Sequence, residues 1–421
     1  MKEIIYEADN YQIHTYKLRK YKHSTIRIYL TRPYKKERAA VSLLLRNLLL
    51  YSTKKLKHEE FVKELGILYS PSIGIRGNRV GEMSVDQLTL NFLNPKYCEP
   101  GYLRKLLNLF KDVIYNPNIK NNKFNEEYLE VIKTRVINNI RQDIEDPAYL
   151  CRKKALEAMD KDSLSSYTVT EEEIMNVTQE DLINEYSRMF EEYEATAYVV
   201  GNVNTKQIAN FIAKNFKFKK HNYDKKLEYF NKVRDEVLDK EEVGDYLQQN
   251  IRMIFNIDME YKNPKMRYVV PLIYNNILGD NGLKSRLFIS IREKNSLCYA
   301  CRSMVSIDDH LLSFAAGING SKKKVVKLVN KEIEKMNEGK ITKKEINNAI
   351  KTRVDILKET KQEIGNIIYY NFYHNFTGEP DIDERIELFK SVTVEDLVEF
   401  GKHLKLNTIF LLKGDDNSGK N

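Results

Sequence analysis

The apolar and polar positions of this chain spell one order of elements twice. A strand-like run, Thr25-Ile26-Arg27-Ile28-Tyr29-Leu30, opens the first half, and Asn250-Ile251-Arg252-Met253-Ile254-Phe255 opens the second. Each is followed by an apolar helix, about Glu37 to Tyr51 and about Asn263 to Leu278. A second helix comes next, then strand-like stretches such as Met83 to Leu93 and Leu311 to Ile318. Two or three helices follow, among them Asn125 to Gln142, and each half closes on a strand, Tyr198-Val199-Val200-Gly201 and Phe410-Leu411-Leu412-Lys413-Gly414. Thr178 and Thr393 stand immediately before acidic helix starts with Asp181 and Asp396 three residues on, the pattern of a capping box. Strands first and helices clustered afterwards predict an α+β fold: two duplicated domains, each a largely antiparallel sheet with helices packed on one face.

The duplication is also legible residue by residue. Ile132-Lys133-Thr134-Arg135-Val136 recurs as Ile350-Lys351-Thr352-Arg353-Val354, an offset of 218 (350 minus 132), and Glu127 falls opposite Glu345 in that register. The opening strands lie at an offset of 225 (250 minus 25), and the two capped helices lead to Gly201 and Gly414 in the same order. Collinear matches at nearly constant offset mark a repeated domain. The expected division is an N-terminal domain at 1–216, a charged linker at 217–245, a C-terminal domain at 246–415 and a tail at 416–421. The linker, dense in lysine and acid, reads either as a solvated strap or as a hinge.

A length of 421 residues with 42% apolar content fits two globular domains of roughly 200 residues each. The charge of +9 is spread out, without runs of like charge or interleaved aromatic and basic clusters, so nucleic acid is not an expected partner. Met1 to Tyr11 carries Glu3, Glu7 and Asp9 and no long apolar run, so the sequence predicts a cytoplasmic protein without a membrane partner. Four cysteines suit a reducing compartment. Cys298 and Cys301 form a Cys-x-x-Cys spacing, but in a strand residues three apart point to opposite faces, so structural thiols are expected. The seven histidines (14, 23, 58, 221, 310, 374 and 403) include no two spaced to share a helix face, and no nucleophile elbow or phosphate-binding glycine loop occurs.

The second half carries Gly279-x-x-Gly282-x-x-Ser285-Arg286-Leu287-Phe288, then Ile291-Arg292-Glu293-Lys294 and Leu297-Cys298-Tyr299, and the first half ends on Gly201-Asn202-Val203. With the duplication, these motifs resemble the pitrilysin and mitochondrial-processing-peptidase family over nearly the whole chain. Active members bear an inverted zinc motif, His-x-x-Glu-His, on the first helix. Here Leu43 and Asn47 stand at the histidine positions and Arg46 at the general base. Leucine cannot ligate, asparagine ligates weakly, and a permanent cation repels the metal. The resemblance places the third ligand at Glu127, which alone makes no site and otherwise reads as an exposed helix residue. Arg292 and Tyr299 match the family's arginine and tyrosine that serve the substrate carbonyl, a task to which guanidinium and phenol donors are suited. On their own residues they read more blandly, as a helix-end arginine and a core aromatic.

Loss of the metal with retention of the arginine and tyrosine implies a split peptidase. The chain is then a non-catalytic, substrate-binding subunit of a heterodimer, with no cofactor of its own and zinc on a sister chain, acting on a peptide or unfolded protein. Among bacterial chains the resemblance is nearest to the non-zinc member of a Gram-positive pair connected with aminopentanol modification of elongation factor P. The alternative is a non-enzymatic scaffold or peptide-binding protein of the same fold.

Overall fold

The computed structural model describes residues 2–244, 246 and 248–414; the tail 416–421 and Asp245 lie outside them. In chain order the first half contains β1 (Glu3–Glu7), β2 (Gln12–Lys17), β3 (His23–Pro33), α1 (Ala39–Leu49), α2 (His58–Ile67), β4 (Ser72–Val80), β5 (Met83–Leu93) and α3 (Tyr102–Tyr115). It continues through a short hairpin, β6 (Ile119–Lys120) and β7 (Lys123–Phe124), into α4 (Glu126–Glu145), α5 (Pro147–Met159), α6 (Glu171–Asn176), α7 (Gln179–Glu191), β8 (Glu194–Gly201) and α8 (Thr205–Asn215). The second half contains β9 (Leu238–Gly244), β10 (Gln249–Ile257), α9 (Val270–Asn275), β11 (Cys298–Ser306), β12 (Leu311–Ile318), α10 (Lys322–Asn337), α11 (Lys343–Thr360), α12 (Ile364–Thr377), α13 (Ile382–Ser391), α14 (Val394–Lys402) and β13 (Leu404–Gly414). Between α9 and β11 the chain makes wide π-helical turns at Asn276–Asp280 and Phe288–Glu293.

The sheet orders are β1-β2-β8-β3-β5-β4 and β11-β12-β10-β13-β9. Read from its other edge, the second becomes β9-β13-β10-β12-β11 and matches β2-β8-β3-β5-β4 strand for strand. Even the parallel pairs correspond, β2 with β8 and β9 with β13, in sheets otherwise antiparallel. The repeated pentapeptide falls on α4 and α11, the equivalent long helices of the two halves. Both expected capping boxes form: Thr178 Oγ1 accepts from the Asp181 N–H at 3.1 Å and Thr393 Oγ1 from the Asp396 N–H at 3.2 Å, while each aspartate accepts from its threonine N–H at 2.9 Å.

Alternation along the central strands sets the layers. Ile26, Ile28 and Leu30 of β3 face α1, α3 and α7 in one core; Ile251, Met253 and Phe255 of β10 face the second-half helices in another. Helices thus concentrate on one face of each sheet. One compact unit comprises the chain up to Arg141, Thr168–Leu227 and Ile364–Ile368; the other comprises Gln142–Tyr167, Glu228–Glu363 and the chain from Tyr369. Each unit is thus assembled from discontinuous segments, and Gln142–Tyr167 of the first half is counted with the second.

Helix α5, from the first half, belongs to the second unit and covers the opposite face of its sheet. Asp146 caps it, accepting from the Ala148 N–H at 2.8 Å, and Pro147 occupies its first turn. Leu150, Cys151, Ala155 and Met159 of α5 pack on Ile254, Phe410 and Leu412, each larger side chain worth about 1.5–3 kcal/mol when fully buried. The charged segment from 217 to 237 is an extended strap, neither helix nor strand. It is tied down at points: Lys226 O accepts from the Glu82 N–H, Asn231 is buried between Ser163 and the Asp309 carbonyl, and Arg234 Nη2 donates to Met159 O at 2.9 Å. Among the described residues no helix is long and apolar enough to cross a membrane.

Candidate functional site

On α1 the side chains of the degenerate motif diverge. Arg46 turns toward the sheet, where its Nη1 donates to Asp86 Oδ1 of β5 at 3.0 Å and lies against Gly77 of β4. Gly77 is the cross-strand partner of Asp86, and any Cβ there would collide with the guanidinium. Burial pushes the Asp86 carboxyl above its ordinary value even though Arg46 and Arg32 pull the other way. Beside this pair, Glu185 of α7 accepts from Arg38 Nε at 2.7 Å and from Ser42 Oγ of α1 at 2.7 Å. Burial opposes its charge, but Arg38, Ser42 and Arg32 together hold Glu185 below the usual carboxylate range. The inward side of the motif is a buried ionic network in which both carboxylates are paired, while Arg32 Nε and Arg38 Nη2 have no hydrogen-bond partner.

The outward side is different. Leu43 is half-buried against the core, and its carbonyl accepts from Asn47 Nδ2 at 2.9 Å. Asn47 Oδ1 in turn accepts from Arg135 Nη2 of α4 at 3.2 Å. Arg135, which the sequence reading passed over, is thus the α4 residue that reaches the motif. Glu127, two turns earlier on α4, is exposed and has no contact with Leu43, Arg46 or Asn47 among the described interactions. The structure brings Leu43, Arg46 and Asn47 together with Arg135 and Asp86, and leaves Glu127 apart.

A signal for Arg135 was available, since it is the arginine of the repeated pentapeptide. Its counterpart Arg353 bonds Asp280 Oδ2 at 2.5 Å, at the end of the helical segment that follows α9. In each half the repeated arginine ties the long helix back to the first helical segment of that half. The donor set does not fit zinc: a leucine, an amide already bonded through both atoms, and two guanidinium groups occupy the place. Among the described residues no cluster of three or more His, Cys, Asp or Glu side chains could hold a metal ion.

Arg292 and Tyr299, seven residues apart in sequence, come together. Arg292 lies in the π-helical turn Phe288–Glu293, with its guanidinium carbon 4.7 Å from the Phe288 ring centre and 4.9 Å from that of Tyr299. This is cation–π contact on both rings. Tyr299 is 75% exposed, so its ring is no part of a core. The neighbouring motif residues are structural. Arg286 grips Glu345 with two nitrogens at 2.7 and 3.0 Å, Ser285 Oγ donates to Gly282 O, and Gly279 sits where a Cβ would meet the Ser303 backbone nitrogen at 2.7 Å.

The presentation of Tyr299 depends on an irregularity that the Cys-x-x-Cys reading did not foresee. Cys298 pairs with Ile318 and Cys301 with Ala316, so two residues of β11, Tyr299 and Ala300, oppose one of β12, Gly317. The bulge leaves Tyr299 and Ala300 both exposed and turns both cysteines inward, at 6% and 9% exposure. Two residues three apart on β11 therefore share one face of the sheet. The two thiols are free; their mutual contact lowers Cys298 and raises Cys301, burial adds to the rise at Cys301, and the nearby Arg292 charge pulls both down.

Comparison with known proteins finds similar chains and similar folds. Residues 176–353 match the model of the peptidase M16 inactive domain. The probable inactive metalloprotease YmfF of Bacillus subtilis is 23% identical over 422 aligned residues, 96% of each protein. A conserved protein from Enterococcus faecalis superposes with a TM-score of 0.88 at 21% identity, covering 98% of this chain and 99% of that one. A peptidase M16 inactive domain from Pseudomonas fluorescens gives a TM-score of 0.76 at 15% identity over 99% and 98%.

Proposed function

From the premise that the chain is an inactive homologue of the M16 peptidases, we propose that it is the substrate-binding subunit of a heterodimeric zinc peptidase, presenting Arg292 and Tyr299 to a site on a zinc-bearing sister chain. The observation that carries this is the exposed Arg292–Tyr299 pair. A phenol 75% open to solvent and stacked on a guanidinium is set up to donate to a ligand, with no comparable local bond to satisfy. Arg286, in the same motif, shows the contrast: its guanidinium is consumed by Glu345.

In the proposed complex both groups donate hydrogen bonds to the carbonyl of a bound peptide, and these strengthen as negative charge develops on its oxygen. The guanidinium also holds the ground-state carbonyl, so it contributes to affinity, and the phenol contributes mainly to rate. The network of Arg46, Asp86, Glu185 and Arg38 supports the same reading from the first half, where it maintains the helix that carried the motif without offering a metal its ligands.

Purification of the tagged chain from its host tests the reading. A co-purifying sister chain with His-x-x-Glu-His and one zinc per heterodimer is expected, with sub-stoichiometric zinc on this chain alone. A chain that purifies alone, or with partners lacking that motif, leaves the scaffold reading in front.

A further inference from the structure

The second unit holds a cavity that the Arg292–Tyr299 pair does not use. It measures about 710 Å³ and lies between α5 and the sheet face formed by β10, β11 and β12. Its lining includes three arginines from three elements: Arg152 of α5, Arg252 of β10 and Arg302 of β11. Arg252 and Arg302 flank Ala315 of β12 in one cross-strand row, since Ala315 is the register partner of both. The β12 residues on this face are Ser313, Ala315 and Gly317, so the floor between the two arginines is hollow.

Arg252 is the unusual member. It is 6% exposed in the middle of a central strand, and its one described side-chain bond is from Nη1 to the neutral Ser313 hydroxyl at 3.3 Å. No carboxylate forms an ion pair with Arg252, Arg152 or Arg302 among the described interactions. Two aspartates also line the cavity, but Asp146 caps α5 and Asp309 accepts from Ser306 Oγ at 3.1 Å. Burial pushes the Arg252 guanidinium down to about 10, and the charges of Arg152 and Arg302 push in the same direction. A buried cation without a counter-ion is costly to maintain, so an anion supplied from outside is the natural complement.

We infer that this cavity binds a carboxylate-bearing stretch of extended peptide, with Arg152, Arg252 and Arg302 receiving its acidic groups. Guanidinium groups match carboxylates with paired hydrogen bonds. A chain is favoured over a small ion by the volume, by Leu156, Ile254, Met304 and Leu311 beside the arginines, and by a second cavity of about 590 Å³ that shares Asp146, Ala148 and Asn250 with the first. β11 is also an edge strand, with one side of its backbone unpaired in the sheet. The identification of the ligand as peptide rests on the proposed function and deepens it. Tyr299 and Arg302 lie three residues apart on β11, at most roughly 10 Å along the strand because the bulge at Tyr299 and Ala300 shortens the rise. The substrate class implied is therefore one with acidic residues close to the bond held by Tyr299.

The test uses the full chain alone, without its partner. Fluorescence anisotropy would follow a labelled decapeptide with Asp and Glu at alternate positions, its Asn and Gln counterpart, and inorganic phosphate as competitor. The acidic peptide should bind about tenfold or more tightly than the amide version, with affinity falling as salt rises. Arg152→Gln and Arg302→Gln, both at exposed positions, should each weaken it about tenfold while leaving the circular dichroism spectrum unchanged. Arg252→Met should do the same. Equal binding of the two peptides, or affinity unchanged by the arginine substitutions, overturns the inference. Capture of phosphate without capture of the acidic peptide also overturns it and makes the cavity an inorganic-anion site. Acidic-peptide binding that persists while a reconstituted complex shows no Tyr299-dependent turnover counts against the trans site and not against the cavity.

Discussion

Replacing Arg252 by methionine should make the protein more stable. Burial lowers the guanidinium from its ordinary value to about 10. At 1.36 kcal/mol per pH unit this corresponds to about 3 kcal/mol spent keeping it charged in the folded state. Methionine has a similar reach and removes that cost, while forfeiting the hydrogen bond to Ser313, worth about 1 kcal/mol. The net gain is then about 1–3 kcal/mol, within the range found when buried charges give way to packed apolar groups. For a unit of roughly 200 residues a gain of about 2 kcal/mol should raise Tm by about 4–8 °C. The sign with pH follows from the group being a base lowered by folding. The penalty is fully present below about pH 10 and fades as pH rises above it, so the gain should be constant between about pH 7 and pH 9. Differential scanning calorimetry at pH 7.5 reads it directly. Saturating acidic peptide should raise the Tm of the wild type more than that of Arg252→Met, because tighter ligand gives the larger linkage. A variant destabilised by more than about 1 kcal/mol would refute the reasoning, since it would mean Arg252 already has an anionic partner within the fold.

Two further substitutions test the buried geometry. Arg46→Ala leaves Asp86 buried without its principal cation and should cost about 3–5 kcal/mol near pH 7. Asp86 is already raised by burial, and losing Arg46 raises it further, so its charge penalises the folded state increasingly as pH climbs through that value. Urea denaturation should accordingly show a smaller loss at pH 5 than at pH 7.5, and a pH-independent loss would contradict the assignment. Gly279→Ala drives a methyl group against the backbone of β11 at Ser303 and should cost about 1–3 kcal/mol, with a lowered Tm as the readout. A neutral result would mean that the helical turn and β11 do not approach as described.

The repeat was legible because it was written in two codes. The identical pentapeptides land on α4 and α11, and the Thr-x-x-Asp starts of α7 and α14 form the hydrogen bonds that their spacing implies. Strands β5 and β12 begin and end at the residues expected from the pattern. The apolar run from Asn263 to Leu278 was less legible: it predicts one helix, whereas the chain makes a 3-10 turn, a short α-helix and a π-helical turn, because Pro264 and Pro271 interrupt the regular ladder. The bulge in β11 was hidden, since nothing in Cys-Tyr-Ala-Cys distinguishes an even strand from one with an extra residue. The placement of α5 on the second sheet was hidden too, as its apolar positions record that it is buried but not against what. Leu43, Arg46 and Asn47 show directly that ligands are missing; that Arg135 and Asp86 take up the vacated bonds required the fold.

The central claim is that Arg292 and Tyr299 act on a peptide held at a partner's metal site. Its most direct test is peptide turnover by the reconstituted heterodimer carrying wild-type or substituted forms of this chain. Tyr299→Phe should leave assembly and peptide affinity intact and lower kcat on the order of 100-fold to 1000-fold, the usual cost of one lost oxyanion donor. Arg292→Ala should raise KM as well as lower kcat. Full turnover with both residues replaced in an assembled heterodimer would contradict the account.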